Sequence, residues 1–463
     1  MIQRVHDGVR WQFQPDFAPL LDELLKTPGE TVKESPAKRV SRHLLGGRTF
    51  YLKRYVHDAV PLRPLKFFFK ATQARQEWKL AQQLEARRIP IVRHVALGER
   101  RTWRGILESL LVTEGFDGIE LSQAKDIDPQ TILKFVETMH EHGVVQEDLH
   151  LGNLLVRKIP FELCLVDLHG IFVRKKLSEE ERRKNLALLR VYLPVPVAPM
   201  VEQQSRELRK LLLYERSNRC LRTNRDFARQ RHGNLVWQVR LPFVTDAVTR
   251  ALSAPDDFLG TQAKILKPGK TSTVGKADGL VLKRFNFRKA GNLLKDLFRA
   301  SKARRAFQKA YHLELTGIPT ARSIATADRR SCGIPVQSYM LMEEIHGAVD
   351  LAKYFRDGAK PDPNLVQEAA RLIARLHNEG FSHRDLKESN LVIGDHGRLY
   401  LIDLDGMTFL QNVPDDRAAL DLARLDRGVA KYSAVTARDR IRFLFTYCRS
   451  RGIRRVPRVL ASA

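Results

Sequence analysis

The sequence predicts an α+β protein built as two tandem, two-lobed domains, residues 1–232 and 233–463. Three observations lead there. At 463 residues the chain is too long for one ordinary core and long enough for two domains of about 200 residues each. Seven segments of the first half recur in the second, in the same order and at an offset that stays between 226 and 237. Within each half, alternating apolar stretches come first and helical periodicity follows.

The repeat is read directly. VRWQFQPDF (9–17) is matched by LVWQVRLPF (235–243), FYLKRY (50–55) by LVLKRF (280–285), and KFFFKATQARQEW (66–78) by KDLFRASKARRAF (295–307). IPIVRHVALGER (89–100) matches IPTARSIATADR (318–329), and VTEGFDG (112–118) matches MEEIHGA (342–348). QEDLHLGN (146–153) then stands against HRDLKESN (383–390), and LCLVDLHG (163–170) against LYLIDLDG (399–406). Chance does not keep seven segments collinear, so the reading is a tandem duplication with its boundary near residue 233.

The elements follow in chain order. TFYLKRY and GLVLKRF alternate and predict strands. KATQARQEWKLAQQLEARR (70–88) has apolar residues at helical spacing; Thr72 is its expected N-cap, and the helix should stop before Ile89-Pro90. TILKFVETMHEHG (131–143) and EAARLIARLHNEG (368–380) are amphipathic helices, each ending in Gly just before a DL loop. LLVRK, LVIGD, LCLVD and LYLID predict short strands carrying acids near their ends. Each half is thus a small sheet with one helix, followed by a largely helical lobe.

Composition bounds the partners. Hydrophobic residues at 43% and charged residues at 29% describe a globular chain. Lys and Arg number 80 against 53 Asp and Glu, a net charge of +27, which implies a polyanionic partner. No recognised nucleic-acid motif accompanies the charge, so no nucleic-acid partner is expected. Cys164, Cys220, Cys332 and Cys448 are far apart with no CxxC pair, which suits a reducing compartment and argues against a zinc site. The start has no apolar signal-like stretch, and 186–201 contains Arg190 and three prolines, so it cannot span a bilayer. The expectation is a cytoplasmic protein, soluble or peripheral to a membrane.

The chemistry lies in the repeated loops. Phosphoryl transfer requires a Lys on the phosphates, an acid to orient it, an Asp to position the attacking hydroxyl, and an Asn and a second Asp for Mg²⁺. The first half supplies Lys53 on a strand, Glu77 on the next helix, Asp148, Asn153 five residues on, and Asp167 at a strand end. The second half supplies Lys283, Asp385, Asn390 and Asp403 at nearly the same spacings. Read singly, each acid is an ordinary turn or surface residue; the fixed register carries the reading. His150, His169 and His383 are expected to order their loops, since no metal spacing surrounds them.

HRDLKESN followed by LIDLDG resembles the catalytic and metal-binding loops of the protein-kinase-like superfamily. The pattern LKRY…ARQEW…IPIVRHVALGER…VTEG…EDLHLGN…VDLHG is more similar to the lipopolysaccharide core sugar kinases, the Kdo and heptose kinase family. The resemblance covers nearly the whole chain, once per half. It implies two kinase-like domains with Asp148 and Asp385 as catalytic aspartates. It implies ATP phosphates on Lys53 and Lys283, and Mg²⁺ held by Asn153 with Asp167 and by Asn390 with Asp403. Glu114 and Glu343 would stand at the hinge that receives adenine. The phosphate-covering turn is assigned by position only, to RVSRHLLGGRTF (39–50) and KPGKTSTVGKADG (267–279), neither of which is GxGxxG. The substrate implied is a sugar hydroxyl of the lipopolysaccharide inner core, met at the inner-membrane face.

Each copy departs from the pattern in a different place. Aligning ARQEW with ARRAF puts Ala306 where Glu77 stands, so Lys283 lacks its expected partner. Glu314 lies two helical turns on, about 12 Å away. The first half has Gln146-Glu147 where the second has His383-Arg384. The first copy, with its Lys–Glu pair, is expected to be catalytic. Two rivals remain open: a protein Ser/Thr kinase, suggested by HRDLKESN, and an active first half served by a pseudokinase second half, suggested by Ala306. Against the former, only 60 residues follow Asp403 and no APE-like element appears. Basic stretches at 282–309, with ten Lys or Arg and one Asp, and at 438–460, with eight Arg and one Asp, read either as solvated faces or as surfaces for anionic headgroups.

Overall fold

The computed structural model of the chain describes residues 1–35, 37–57, 66–67, 69–103, 105–269, 271–286, 300–331 and 334–454. Cys332 and residues 287–299 and 455–460 of the two basic stretches lie outside them. Two compact units are present, Met1–Leu208 and Arg209–Ala463, each α+β as expected.

In the first unit seven strands form one antiparallel sheet: β1 (Ile2–His6), β2 (Val9–Phe13), β3 (Glu30–Ser35), β4 (Lys38–Leu45), β5 (Arg48–Val56), β6 (His94–Thr102) and β7 (Gly105–Glu114), in the order β1-β2-β6-β7-β5-β4-β3. Period-2 alternation gives the sheet two apolar faces. Trp11, Phe13, Phe50 and Val112 pack against Leu21 and Leu24 of α1 (Ala18–Lys26). Tyr55, Leu97 and Leu111 meet Ala74 and Trp78 of α2 (Gln73–Ala86). Thr72 caps α2 as predicted, its hydroxyl accepting from Arg75 N at 3.1 Å, and the helix ends ahead of Ile89-Pro90.

The remainder of the unit is β8 (Ile119–Glu120), α3 (Pro129–Glu141), β9 (Val144–Gln146), β10 (Leu154–Lys158), β11 (Phe161–Leu165), β12 (Ile171–Val173) and α4 (Glu179–Tyr192), and α5 (Pro199–Asn218) carries the chain past the Leu208 boundary. Two small sheets, β11-β10-β8 and β12-β9, set the short loops beside a core of Ile132, Val136, Met139, Leu154 and Leu189.

The second unit repeats this plan. Its sheet holds β13 (Phe227–His232), β14 (Leu235–Arg240), β15 (Lys264–Lys267), β16 (Ser272–Ala277), β17 (Leu280–Asn286), β18 (Ser323–Ser331) and β19 (Ile334–Glu343), in the order β13-β14-β18-β19-β17-β16-β15. This is the first order shifted by one repeat. Helix α6 (Asp246–Ser253) covers one face and α7 (Lys302–Thr316) the other. Ser301 caps α7 as Thr72 caps α2, and Ala303 and Phe307 are buried where Ala74 and Trp78 are. Then follow β20 (Val349–Asp350), α8 (Leu351–Arg356), α9 (Pro363–Asn378), β21 (Phe381–His383), β22 (Leu391–Ile393), β23 (Leu399–Leu401), β24 (Met407–Phe409), α10 (Asp415–Val429) and α11 (Ala437–Ser450). Gly233 is the turn of the β13–β14 hairpin, so the second sheet begins upstream of the residue-233 boundary. The matched segments start only at Leu235, after β13, whose counterpart by sheet order is β1.

Gly143 and Gly380, expected to end helices α3 and α9, do so with φ of +73° and +87°. A Cβ on Gly143 would collide with the Arg174 carbonyl oxygen, and one on Gly380 would meet the Gln411 carbonyl oxygen at 2.5 Å. Left-handed backbone and a rigid clash act together, so Gly143→Ala or Gly380→Ala should each cost more than about 2 kcal/mol in thermal or denaturant unfolding.

Candidate active site

Strand β9 leads into the first loop, and a hydrogen-bonded clamp between Asp148 and Asn153, five residues apart, shapes it. Asn153 Nδ2 donates to the main-chain oxygen of Asp148 at 2.9 Å, while His150 Nδ1 accepts from Gly152 N at 3.1 Å. The Asp148 side chain is left 67% exposed. The Asp167–Gly170 turn closes against this loop. Glu147 N donates to Gly170 O at 2.9 Å and Gln146 Nε2 to Asp167 O at 3.1 Å. Gly170 sits at φ +77°, and a Cβ there would lie 3.6 Å from Asp148 N. Asn185 on α4 anchors the assembly from behind, donating to Gln146 O at 2.6 Å and hydrogen-bonded to His140.

The second unit builds the same loop with different anchors. Asn390 Nδ2 donates to Asp385 O at 2.8 Å, Arg384 N to Gly406 O at 3.1 Å, and Asp385 N to His383 Nδ1 at 3.3 Å. The Asp385 side chain is 56% exposed and bonds Lys387 Nζ at 2.8 Å. Asp421, fully buried on α10 at the place of Asn185, accepts from Ser382 Oγ at 2.7 Å and His383 N at 2.8 Å. Burial opposes its charge, but hydrogen bonds from His377, Ser382 and the His383 amide hold its carboxyl below the usual range. Burial lowers the pKa of His383. His150 and His383 thus order their loops; His169 is exposed, its amide bonding Asp167 Oδ1 at 3.1 Å.

The lysine anchors differ sharply. In the first unit Lys53 Nζ and Glu77 Oε1 are 2.6 Å apart, with only 13% and 11% of their side chains exposed. His94 Nε2 stands 3.5 Å from the same carboxylate, and burial together with the nearby Glu77 charge raises the pKa of the Tyr55 hydroxyl on β5. Burial would raise the Glu77 pKa, but the His94 contact and the Lys53 charge outweigh it and bring it to about 2. The folded-state value lies below the ordinary 4.5, so this stabilisation is complete above about pH 4.5 and is lost as pH falls towards 2. Acid unfolding of Glu77→Gln should lack that component, which a comparison of denaturation curves between pH 5 and 2 would reveal.

In the second unit Ala306 occupies the Glu77 position, and the lysine has turned to another acid. Lys283 Nζ lies 2.6 Å from Asp403 Oδ1 and 3.7 Å from Asp405 Oδ2. Glu314 is committed elsewhere, bound by both terminal nitrogens of Arg240 at 2.7 and 2.8 Å. Asp403 sits at φ +57°, and Lys283 draws its carboxyl below the usual range against the effect of burial.

The Asn and strand-end Asp of each unit are neighbours across a hairpin: Val166 N donates to Asn153 O at 3.1 Å, and Ile402 N to Asn390 O at 2.9 Å. With each Asn amide nitrogen committed to its loop, the donors left are one amide oxygen and one carboxylate. Hard oxygens in small number fit Mg²⁺, which takes one or two protein ligands and completes its octahedron with water and phosphates. Among the described residues no cluster of three His, Cys, Asp or Glu forms a metal cage.

Several residues had not been singled out. Lys38 pairs with Tyr55 as Val40 pairs with Lys53, so Lys38 and Lys53 share one face of the sheet. Burial and the nearby Lys53 lower its pKa. The stretch 39–50 is strand β4 and the turn into β5; by register, Lys38 opposite Tyr55 stands where Ser272 stands opposite Phe285. Glu114 is held by Arg48 at 3.0 Å and Arg93 at 3.3 Å, and its amide donates to Arg93 O. Glu343 has Arg322 at 3.8 Å, and its amide likewise donates to Arg322 O. Both carboxylates are therefore engaged with arginine.

Comparison with known proteins adds to this geometry. The family described as "Lipopolysaccharide kinase (Kdo/WaaP) family" matches residues 22–211 and again residues 269–447. The lipopolysaccharide core heptose(I) kinase WaaP of Pseudomonas aeruginosa is 32% identical over 178 residues, 35% of this chain and 64% of that protein. A 3-deoxy-D-manno-octulosonic acid kinase of Vibrio parahaemolyticus is 31% identical over 120 residues, 25% of this chain and 50% of the relative. The lipopolysaccharide core heptose(II) kinase WaaY of Escherichia coli is 33% identical over 92 residues, 19% and 37%. The chain thus spans about half the length of the curated relatives it matches. A solved structure, WaaP in complex with acyl carrier protein, aligns with 47% of the chain and 94% of its own at 23% identity and a TM-score of 0.35. With the family matched once in each half, over most of its length, the chain belongs to the lipopolysaccharide kinase (Kdo/WaaP) family and carries the kinase-like fold twice.

Proposed function

We propose that this chain transfers the γ-phosphate of ATP, with Mg²⁺, to a sugar hydroxyl (heptose or Kdo) of the lipopolysaccharide inner core, at the cytoplasmic face of the inner membrane. The observation that carries the reading is the exposed loop aspartate in each unit, clamped by the Asn five residues on and backed by the turn of a strand-end Asp. In the first unit Asp148 would orient the acceptor hydroxyl and accept its proton, and Lys53, fixed by Glu77, would hold the phosphates, with Lys38 beside it. Asp385 and Lys283 would take these roles in the second. Asn153 with Asp167, and Asn390 with Asp403, would hold Mg²⁺, which when bound neutralises charge on the phosphate oxygens. Adenine would meet main-chain atoms next to Glu114 and Glu343, since both carboxylates are bound to arginine.

A small acceptor is favoured over a peptide by the segment after the strand-end Asp. Helix α10 starts at Asp415, soon after Asp403, and α4 at Glu179, soon after Asp167. Neither leaves room for a peptide-docking activation segment. Peripheral membrane contact is supported by α11, where Ile441 and Phe445 are 55% and 64% exposed and Arg438 and Arg449, also exposed, lie along the same helix. Apolar residues among bases suit an anionic headgroup layer, each base contributing about 1 kcal/mol. Among the described residues no helix is long and apolar enough to cross a membrane.

Incubating the purified chain with γ-labelled ATP, Mg²⁺ and lipopolysaccharide stripped of core phosphate tests the reading. Label should enter the core oligosaccharide and disappear with Lys53→Ala/Lys283→Ala. Labelling of protein substrates with none in the core would overturn the acceptor assignment.

A further inference from the structure

Loss of the helix acid in the second unit leaves a physical problem. Lys283 is only 14% exposed, and an ammonium withdrawn from water needs a counter-charge at hand. Three positions around it have changed together. Glu77, Tyr55 and His94, which form one polar cluster beside Lys53, are replaced in the same register by Ala306, Phe285 and Ser323. The side of the lysine that faces the helix has become apolar, and Lys283 Nζ now lies over the Phe285 ring at 4.6 Å.

We propose that Asp405, third residue of the DLDG turn, is the positioning acid for Lys283, taking over the work that the α2 carboxylate performs in the first unit. The inference rests on reading the second unit as a nucleotide site. Asp403, although closer, holds the position assigned to Mg²⁺ and cannot serve the lysine undivided. Asp405 Oδ2 is 3.7 Å from Lys283, and its Oδ1 is buried with no hydrogen-bond partner among the described residues. The equivalent residue of the first unit is His169, an exposed side chain, where Glu77 leaves no acid to be supplied.

Helix α7 has also gained what this arrangement requires. Lys309, one turn beyond Ala306 and at the position of Leu80 in α2, donates from Nζ to Leu404 O at 3.2 Å and to Asp405 O at 3.0 Å. The helix that lost its acid now grips the turn that carries the replacement. Coupling between helix and lysine, direct in the first unit, runs through the DLDG turn in the second. On this account Ala306 does not mark a dead site.

The test uses the full chain with its first site neutralised as a pair, Lys53→Met/Glu77→Gln, and measures MgATP binding by calorimetry. Adding Asp405→Asn should weaken binding about tenfold, and adding Ala306→Glu to that variant should restore it, because the helix acid returns at the register of Glu77. Unchanged binding by Asp405→Asn would overturn the role of Asp405 and leave the second unit a nucleotide site served by Asp403 alone. Weakened binding without rescue would also overturn it, reducing Asp405 to a structural part of the turn. No MgATP binding by the parent would overturn the nucleotide-site reading, and the proposal with it.

Discussion

Asp148→Asn should lower phosphoryl transfer by the first unit by about 10²–10⁴-fold, the range for loss of a positioned base, while leaving ATP affinity unchanged. The substitution is nearly isosteric, and the loop does not depend on the carboxylate. Asn153 binds the main-chain oxygen of Asp148, and the nearest ionic contact of its side chain is His150 at 3.9 Å. Folding should therefore be preserved, and the defect should appear in the rate of the chemical step. Initial rates with an Asp385→Asn background, set beside calorimetric ATP binding, separate the two quantities. A normal rate with normal binding would show that the loop aspartate is not the base.

Glu77→Ala should act on stability as well as on nucleotide binding. Removing one member of a nearly buried ion pair leaves the Lys53 ammonium without its partner, at a cost on the order of 3 kcal/mol. ATP affinity should fall with it, since Lys53 is no longer held. Denaturant unfolding of the first unit, followed beside Glu77→Gln, measures the effect. Wild-type stability in Glu77→Ala would mean that Lys53 finds another acid, as Lys283 has done.

What the sequence disclosed was local or repeated. Thr72 as a cap, Gly143 and Gly380 as helix ends, and the Asp–Asn pairs at five-residue spacing depend on a few adjacent residues, so their pattern survives in one dimension. The repeat added register, which exposed Ala306. Helices α1 and α6 and the strand β13 were not singled out: they are short and amphipathic, and β13 precedes the first matched segment. The residues that complete each site were hidden for another reason. His94 and Tyr55 reach Glu77 from two strands, Lys38 reaches the lysine face from a third, and Asn185 and Asp421 come from helices that follow the loop. Only the sheet register and the packing of those helices bring them in. The new partner of Lys283 was hidden in the same way, since Asp403 lies 120 residues beyond it.

The most direct test is mass spectrometry of core oligosaccharide from a deletion strain carrying wild type, Asp148→Asn or Asp385→Asn. Two working units predict loss of core phosphate with each substitution, at a different position for each if the acceptors differ. Core phosphate unchanged by either substitution and by both together would contradict the account at its centre.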